Sequence, residues 1–152
     1  MLFRSVVRQN PYDSQAQTEL GQALLNVNDM QAAAAAFEDA LKADPEDQAA
    51  LQGKSECDRI LALDPGARGL RSADRYTRSR DLLAQVEASC VPPEMKQRLD
   101  AALAAQRRPD TWSDAAQDNQ RLALEAWASR ASNCANPPDP AISKLMSMIA
   151  AR

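Results

Sequence analysis

Apolar residues recur along this chain at every third or fourth position, and no run alternates apolar and polar residues with β-branched enrichment. The pattern predicts helices throughout and no strands. Asp13 is placed to cap a helix to about Asn28, and Asp29 one from Met30 to about Ala43. Asp44, with Pro45 at the first helical position, opens a third to about Leu63. Asp64-Pro65-Gly66 then breaks the pattern, and four longer or less regular helices follow: about Leu70 to Cys90, Pro93 to Gln106, Asp110 to Cys134, and Pro140 to Ala150. Their stripes are Tyr76, Leu83, Val86 and Cys90; Met95, Leu99 and Leu103; Leu124, Trp127, Ala131 and Cys134; and Ile142, Leu145, Met146 and Ile149. Each stripe needs a partner to cover it, so the chain is expected to be all-α, with its helices stacked on one another.

A longer period overlies the helical one. Thirty-four residues separate Phe3 from Phe37, Val6 from Ala40 and Pro11 from Pro45. Within residues 14–47 the string Gln17-x2-Leu20-Gly21-x2-Leu24, then Ala33-x3-Phe37-x2-Ala40 and Asp44-Pro45, resembles the tetratricopeptide repeat. Small residues at 21, 33 and 40 fall where two antiparallel helices touch, and Leu20, Leu24 and Phe37 fill the seam. Gln17 stands where the family often has Trp, and Leu24 where it often has Tyr. In the next helix Leu51 takes the Trp position, but Lys54 and Ser55 replace Leu20 and Gly21, and the match fades. Residues 1–8 read as the second helix of a repeat whose first helix is missing, with Phe3, Val6 and Val7 packing on the complete unit. The expected organisation is a repeat region over 1–63 that starts in mid-repeat, followed over 64–152 by divergent C-terminal helices packed on the same stack as a cap.

The resemblance implies a scaffold that binds another protein. In that family the first helix of each repeat lines a concave groove for a peptide or a partner helix. Carried onto this chain, the groove comprises Gln15, Thr18, Gln22, Leu25 and Asn26, followed by Gln52, Glu56 and Arg59. The Lys, Asn and Arg set with which one subgroup clamps a C-terminal carboxylate is missing, since Thr18 and Gln22 occupy two of those positions. What remains is a neutral, amide-rich face suited to hydrogen bonding an extended segment or helix, or else simply solvated. Self-association through the N-terminal half-repeat is the alternative role.

Composition narrows the chemistry. In 152 residues there is no His, which removes the commonest general base and metal ligand. Three Cys without a close pair make no metal cage, and four scattered Gly make no phosphate loop. Carboxylate pairs such as Glu38-Asp39 and Glu46-Asp47 read as solvated or capping groups. No catalytic residue, cofactor or metal is expected. A net charge of −3 and a pI near 5.0 give no general attraction to nucleic acid, and no stretch is apolar for long enough to span a membrane.

Two side-chain groups remain. Arg68, Arg71, Arg75 and Arg78 recur at helical spacing, so a single helix would carry them along one face. Such a stripe suits an anion or acidic partner, but Asp74 and Asp81 lie close enough to neutralise part of it, and a solvated, internally paired face is the plainer reading. Cys90 and Cys134 each end a predicted helix ahead of a double proline. If successive helices run antiparallel, these two helices are parallel, separated by the one between them, and both Cys lie at the same end of the stack. They are then either two buried thiols or a disulfide, which would stabilise by roughly 4 kcal/mol in the chain-entropy model. A disulfide would favour a periplasmic or otherwise extracytoplasmic setting. Cys57 reads as a half-buried packing thiol.

Overall fold

The computed structural model describes residues 13–135 and 138–152, and these form helices without strands. The half-repeat expected over 1–8 lies outside the described residues. The chain divides into two compact units, Met1–Leu61 and Ala62–Arg152.

The first unit contains α1 (Ser14–Asn26), α2 (Met30–Ala43) and most of α3 (Gln48–Leu63). Side-chain carboxylates cap the first two helices: Asp13 accepts from the Ala16 amide and Asp29 from the Ala32 amide, both at 3.2 Å. The hairpin between them turns on Asn28, whose φ of 60° lies in the left-handed region that Asn tolerates. There the Asn28 amide donates to the Leu25 carbonyl and the Asp29 amide to that of Leu24, the paired bonds of a Schellman motif. α3 begins later than the Asp44-Pro45 signal predicts. Asp44 instead organises a turn, accepting from the Glu46 amide at 3.0 Å, and Asp47 becomes the cap by accepting from the Ala50 amide at 3.0 Å.

Phe37 is the pivot of this unit and is fully buried. A β-carbon added at Gly21 of α1 would lie 2.6 Å from its ring, and one added at Gly53 of α3 would overlap the ring as well. An aromatic side chain from α2 therefore fits between its two neighbours because each presents a glycine. Mid-helix Gly is about 0.5–1 kcal/mol less favourable than Ala, so its presence at both positions is explained by this close approach. α3 turns Ala50, Gly53, Cys57 and Ile60 inward, and Cys57 is completely buried rather than half-buried. The other side of α3 carries Ser55 and the Lys54–Asp58 ion pair, with Leu51 42% exposed. Leu51 thus does not fill a seam as the family's Trp does.

The second unit contains α4 (Ser72–Glu87), α5 (Pro93–Ala104), a short 3-10 turn (Pro109–Thr111), α6 (Trp112–Ala128) and α7 (Pro140–Ala150). α4 and α6 pack on each other directly. They are tied at three levels in the same order along both helices. Tyr76 stacks on Trp112 with ring centroids 6.0 Å apart, Asn119 Nδ2 donates to Ser79 Oγ at 3.0 Å, and Cys90 is joined to Cys134. The two helices therefore run parallel, as expected, but α5 does not separate them: it is the antiparallel return beside them.

The buried face of α6 is Ala115, Ala116, Asn119, Ala123 and Ala126, one step away from the expected Leu124 and Trp127, which are half-buried. Alanine brings the α6 backbone close to Leu82, Leu83 and Val86 of α4, all fully buried. α5 buries only Leu99 completely, and Met95 and Leu103 are half-buried. α7 sinks Ile142, Leu145, Met146 and Ile149 into the unit as its pattern predicts.

The entry and exit of this unit meet at Asp64. Its carboxylate is 1% exposed and accepts from the Gly66 amide at 2.8 Å. It also receives both terminal nitrogens of Arg152, at 2.8 and 2.6 Å. This bidentate geometry satisfies a charge that would otherwise be costly to bury. It also holds the Arg152 guanidinium above its ordinary pKa.

Candidate functional site

The expected groove residues divide into two sets. Gln15, Gln22, Asn26, Gln52 and Arg59 are exposed on α1 and α3, and Glu56 is half-buried. Gln15 Nε2 donates to Glu19 Oε1 at 3.1 Å, one turn along α1. Thr18 and Leu25 are not surface groups. Leu25 is 2% exposed, because α1 buries a broad face that includes the adjacent Leu24. Thr18 is buried with its hydroxyl donating to Asp47 Oδ2 at 2.7 Å. The surface that a partner could touch is therefore narrower and more amide-rich than the eight positions together suggest.

Asp47 sets the spacing of that surface. One oxygen caps α3, while the other accepts from both Ser14 Oγ at 3.0 Å and Thr18 Oγ1 on α1. A single carboxylate thus pins the first turn of α1 to the first turn of α3, and so aligns the two helices that carry the exposed amides. The Thr18 hydroxyl, followed by the Ala50 amide, holds the Asp47 carboxyl below its ordinary pKa. Two polar residues four apart on α1, and an acid just before α3, would have signalled this bond. The expectation that Asp44 was the cap obscured it.

The arginine stripe is not one helical face. α4 starts at Ser72, so Arg68 lies in the preceding turn before Gly69, whose φ is 76°. Arg71 sits just ahead of the helix and pairs with Asp74 at 3.0 Å. Arg78 is half-buried and reaches the Asp64 carbonyl at 3.5 Å. Only Arg75 and Arg78 share the helix, because the Asp64-Pro65-Gly66 turn and Gly69 delay its start.

The cysteines also lie beyond the helix ends rather than at them. α4 stops at Glu87 and α6 at Ala128, where Ser129 and Arg130 bond the last carbonyls of α6. The Ala131 amide then donates to the Cys90 carbonyl at 3.1 Å and brings the two strands of chain together. The Cα atoms of Cys90 and Cys134 are 5.7 Å apart, within the range a disulfide needs. Among the described residues no group of His, Cys, Asp or Glu could hold a metal ion, and no helix is long and apolar enough to cross a membrane.

A capped helical hairpin, closed by a third helix through paired glycines on one aromatic ring, is the geometry of a helical-hairpin repeat. Residues 2–48 and 18–58 match the tetratricopeptide repeat family model. The match ends within α3, where the outward face becomes polar. Neither a curated protein nor a solved structure matches the chain. Repeats of this family generally mediate protein–protein interaction and are generally not enzymes.

Proposed function

We propose that this protein is a non-enzymatic scaffold that binds a segment of another protein across α1 and α3. The contact surface in this reading is Gln15, Gln22, Asn26, Gln52 and Arg59. The observation that carries it is the exposure of side-chain amides on both helices while the flanking Thr18 and Leu25 are withdrawn into the fold. An amide offers both donors and an acceptor, so such a face suits the main chain of an extended segment or the polar side of a helix.

The test is capture of a partner from the native source by the whole chain and by a Gln22→Ala, Gln52→Ala, Arg59→Ala variant. The variant should lose the captured protein while its circular dichroism is unchanged. Equal capture by both would contradict the groove. The Cys90–Cys134 disulfide supports placing the chain, and therefore its partner, in an oxidising compartment. Intact mass under non-reducing, alkylating conditions on protein from that source tests this. One alkylated thiol is the expected result, and three would contradict it.

A further inference from the structure

We infer that the cleft between α5 and α6 is a second binding site, one that takes a carboxylate side chain from an acidic segment of a partner protein. This site lies in the C-terminal unit and is independent of the reading proposed for α1 and α3.

The cleft exists because α5 is fastened on only part of its surface. Towards α4, Arg80 donates to the Leu103 carbonyl and Tyr76 Oη donates to the Ala105 carbonyl at 3.4 Å. Towards α6, Arg98 reaches Glu125 at 2.7 Å. Beside these ties lies an open cavity of about 390 Å³. Ala101, Ala102 and Leu122 supply its apolar surface. The volume lies at the small end of the range for ligand pockets, enough for one side chain and its neighbour.

Charge selects the occupant. Three arginines line the cleft, Arg98, Arg107 and Arg121, against two acidic residues, Asp118 and Glu125. Arg98 is engaged with Glu125, and Arg121 with Asp118 at 3.3 Å. The Arg107 guanidinium has no hydrogen bond or ion pair among the described residues, although its main-chain carbonyl is fixed by Trp112 Nε1 at 3.2 Å. One positive charge is thus left over, on a segment whose backbone is anchored. A single carboxylate balances it and can accept two parallel N–H bonds from a guanidinium. A phosphate dianion would meet the two wall carboxylates with a second, uncompensated charge. The alanines and Leu122 can take an aliphatic residue next to the acid. By contrast, the smaller cavity of about 320 Å³ on the other flank of α5 is crossed by Arg80, whose guanidinium is already used by Leu103 and lies 5.9 Å from the Tyr76 ring.

The test is a titration of the whole, isotope-labelled chain with the peptide acetyl-Leu-Glu-Ala-amide, followed by amide chemical shifts. Its Gln analogue and inorganic phosphate serve as comparison probes. Saturating shifts at Ala101, Ala102 and Leu122 with the Glu peptide alone are the expected result. Arg107→Ala should weaken binding about tenfold, and the Trp112 bond to the main chain survives that substitution. Equal shifts from the Gln peptide, or binding unchanged in Arg107→Ala, would overturn the site. Tighter binding of phosphate would replace the carboxylate assignment with a general anion site. Substitutions at Gln22 and Gln52 should leave this titration unchanged, so failure of one site is distinguishable from failure of the other.

Discussion

The two units achieve a helical core by different means. In the first, regularity does most of the work: three helices approach closely because glycines at 21 and 53 admit one aromatic ring. In the second, α4 and α6 meet through an alanine face, and point ties fix their alignment. Those ties are the Tyr76–Trp112 stack, the Ser79–Asn119 bond, the disulfide, and the Arg152–Asp64 pair that joins the ends of the unit. The comparison teaches that a repeat can be specified by small residues at fixed intervals, whereas a divergent helical unit depends on a few long-range bonds.

That difference is open to mutation. The largest effect should come from Phe37→Ala, which leaves a cavity among three helices and should cost about 3–5 kcal/mol in chemical denaturation. Close behind is loss of the cross-link in the second unit. Cys90→Ser with Cys134→Ser should lower stability by about 2–4 kcal/mol, with the loss of amide exchange protection concentrated in α4 and α6. A loss spread evenly over α1 to α3 would erase the distinction between the units.

Arg152→Ala removes the partner of a buried carboxylate. Because Arg152 itself is 40% exposed and water can reach the site, the expected cost is about 2 kcal/mol. Gly21→Ala sharpens the comparison from the other side. It improves helix propensity, yet it should destabilise by about 1–2 kcal/mol because the added methyl meets the Phe37 ring. Phe37→Leu should reduce that penalty. If Gly21→Ala were instead stabilising in thermal melts, the aromatic wedge would not govern the packing.

The smallest expected effect concerns pH. Asp47 has its carboxyl pKa lowered in the folded chain, chiefly by Thr18. Its contribution is therefore fully present above the unfolded carboxylate value of about 3.9 and is lost as pH falls through the lower, folded value. Wild type should lose more stability than Asp47→Asn between about pH 5 and pH 2. At neutral pH, Asp47→Ala should cost about 1 kcal/mol as a lost helix cap.

What was legible in the sequence follows the same division. The thirty-four-residue offset marked Phe37, Ala40 and the hairpin, and the stripe of α7 marked its buried face, because both reflect local periodicity. Gly53 was not legible as the partner of Gly21. It lies two positions away from the repeat's register, and its role comes from a ring on another helix. The burial of Thr18 arises likewise from a bond to Asp47 twenty-nine positions away. The Arg68 to Arg78 spacing suggested a continuous face only under the assumption that the helix began before Arg71. The α5–α6 cleft had no signature at all, since Arg98, Arg107 and Arg121 converge only through the return of α5 beside α6.

The central claim is that partner binding uses the amide face of α1 and α3. The most direct measurement places a photo-crosslinking amino acid singly at Gln22, at Gln52 and, for comparison, at Lys42 on the exposed side of α2, in protein expressed in its native source. Crosslinks to the same partner from Gln22 and Gln52, with none from Lys42, are the predicted result. Crosslinking from Lys42 with silence at Gln22 and Gln52 would contradict the account and move the binding surface to the opposite side of the repeat.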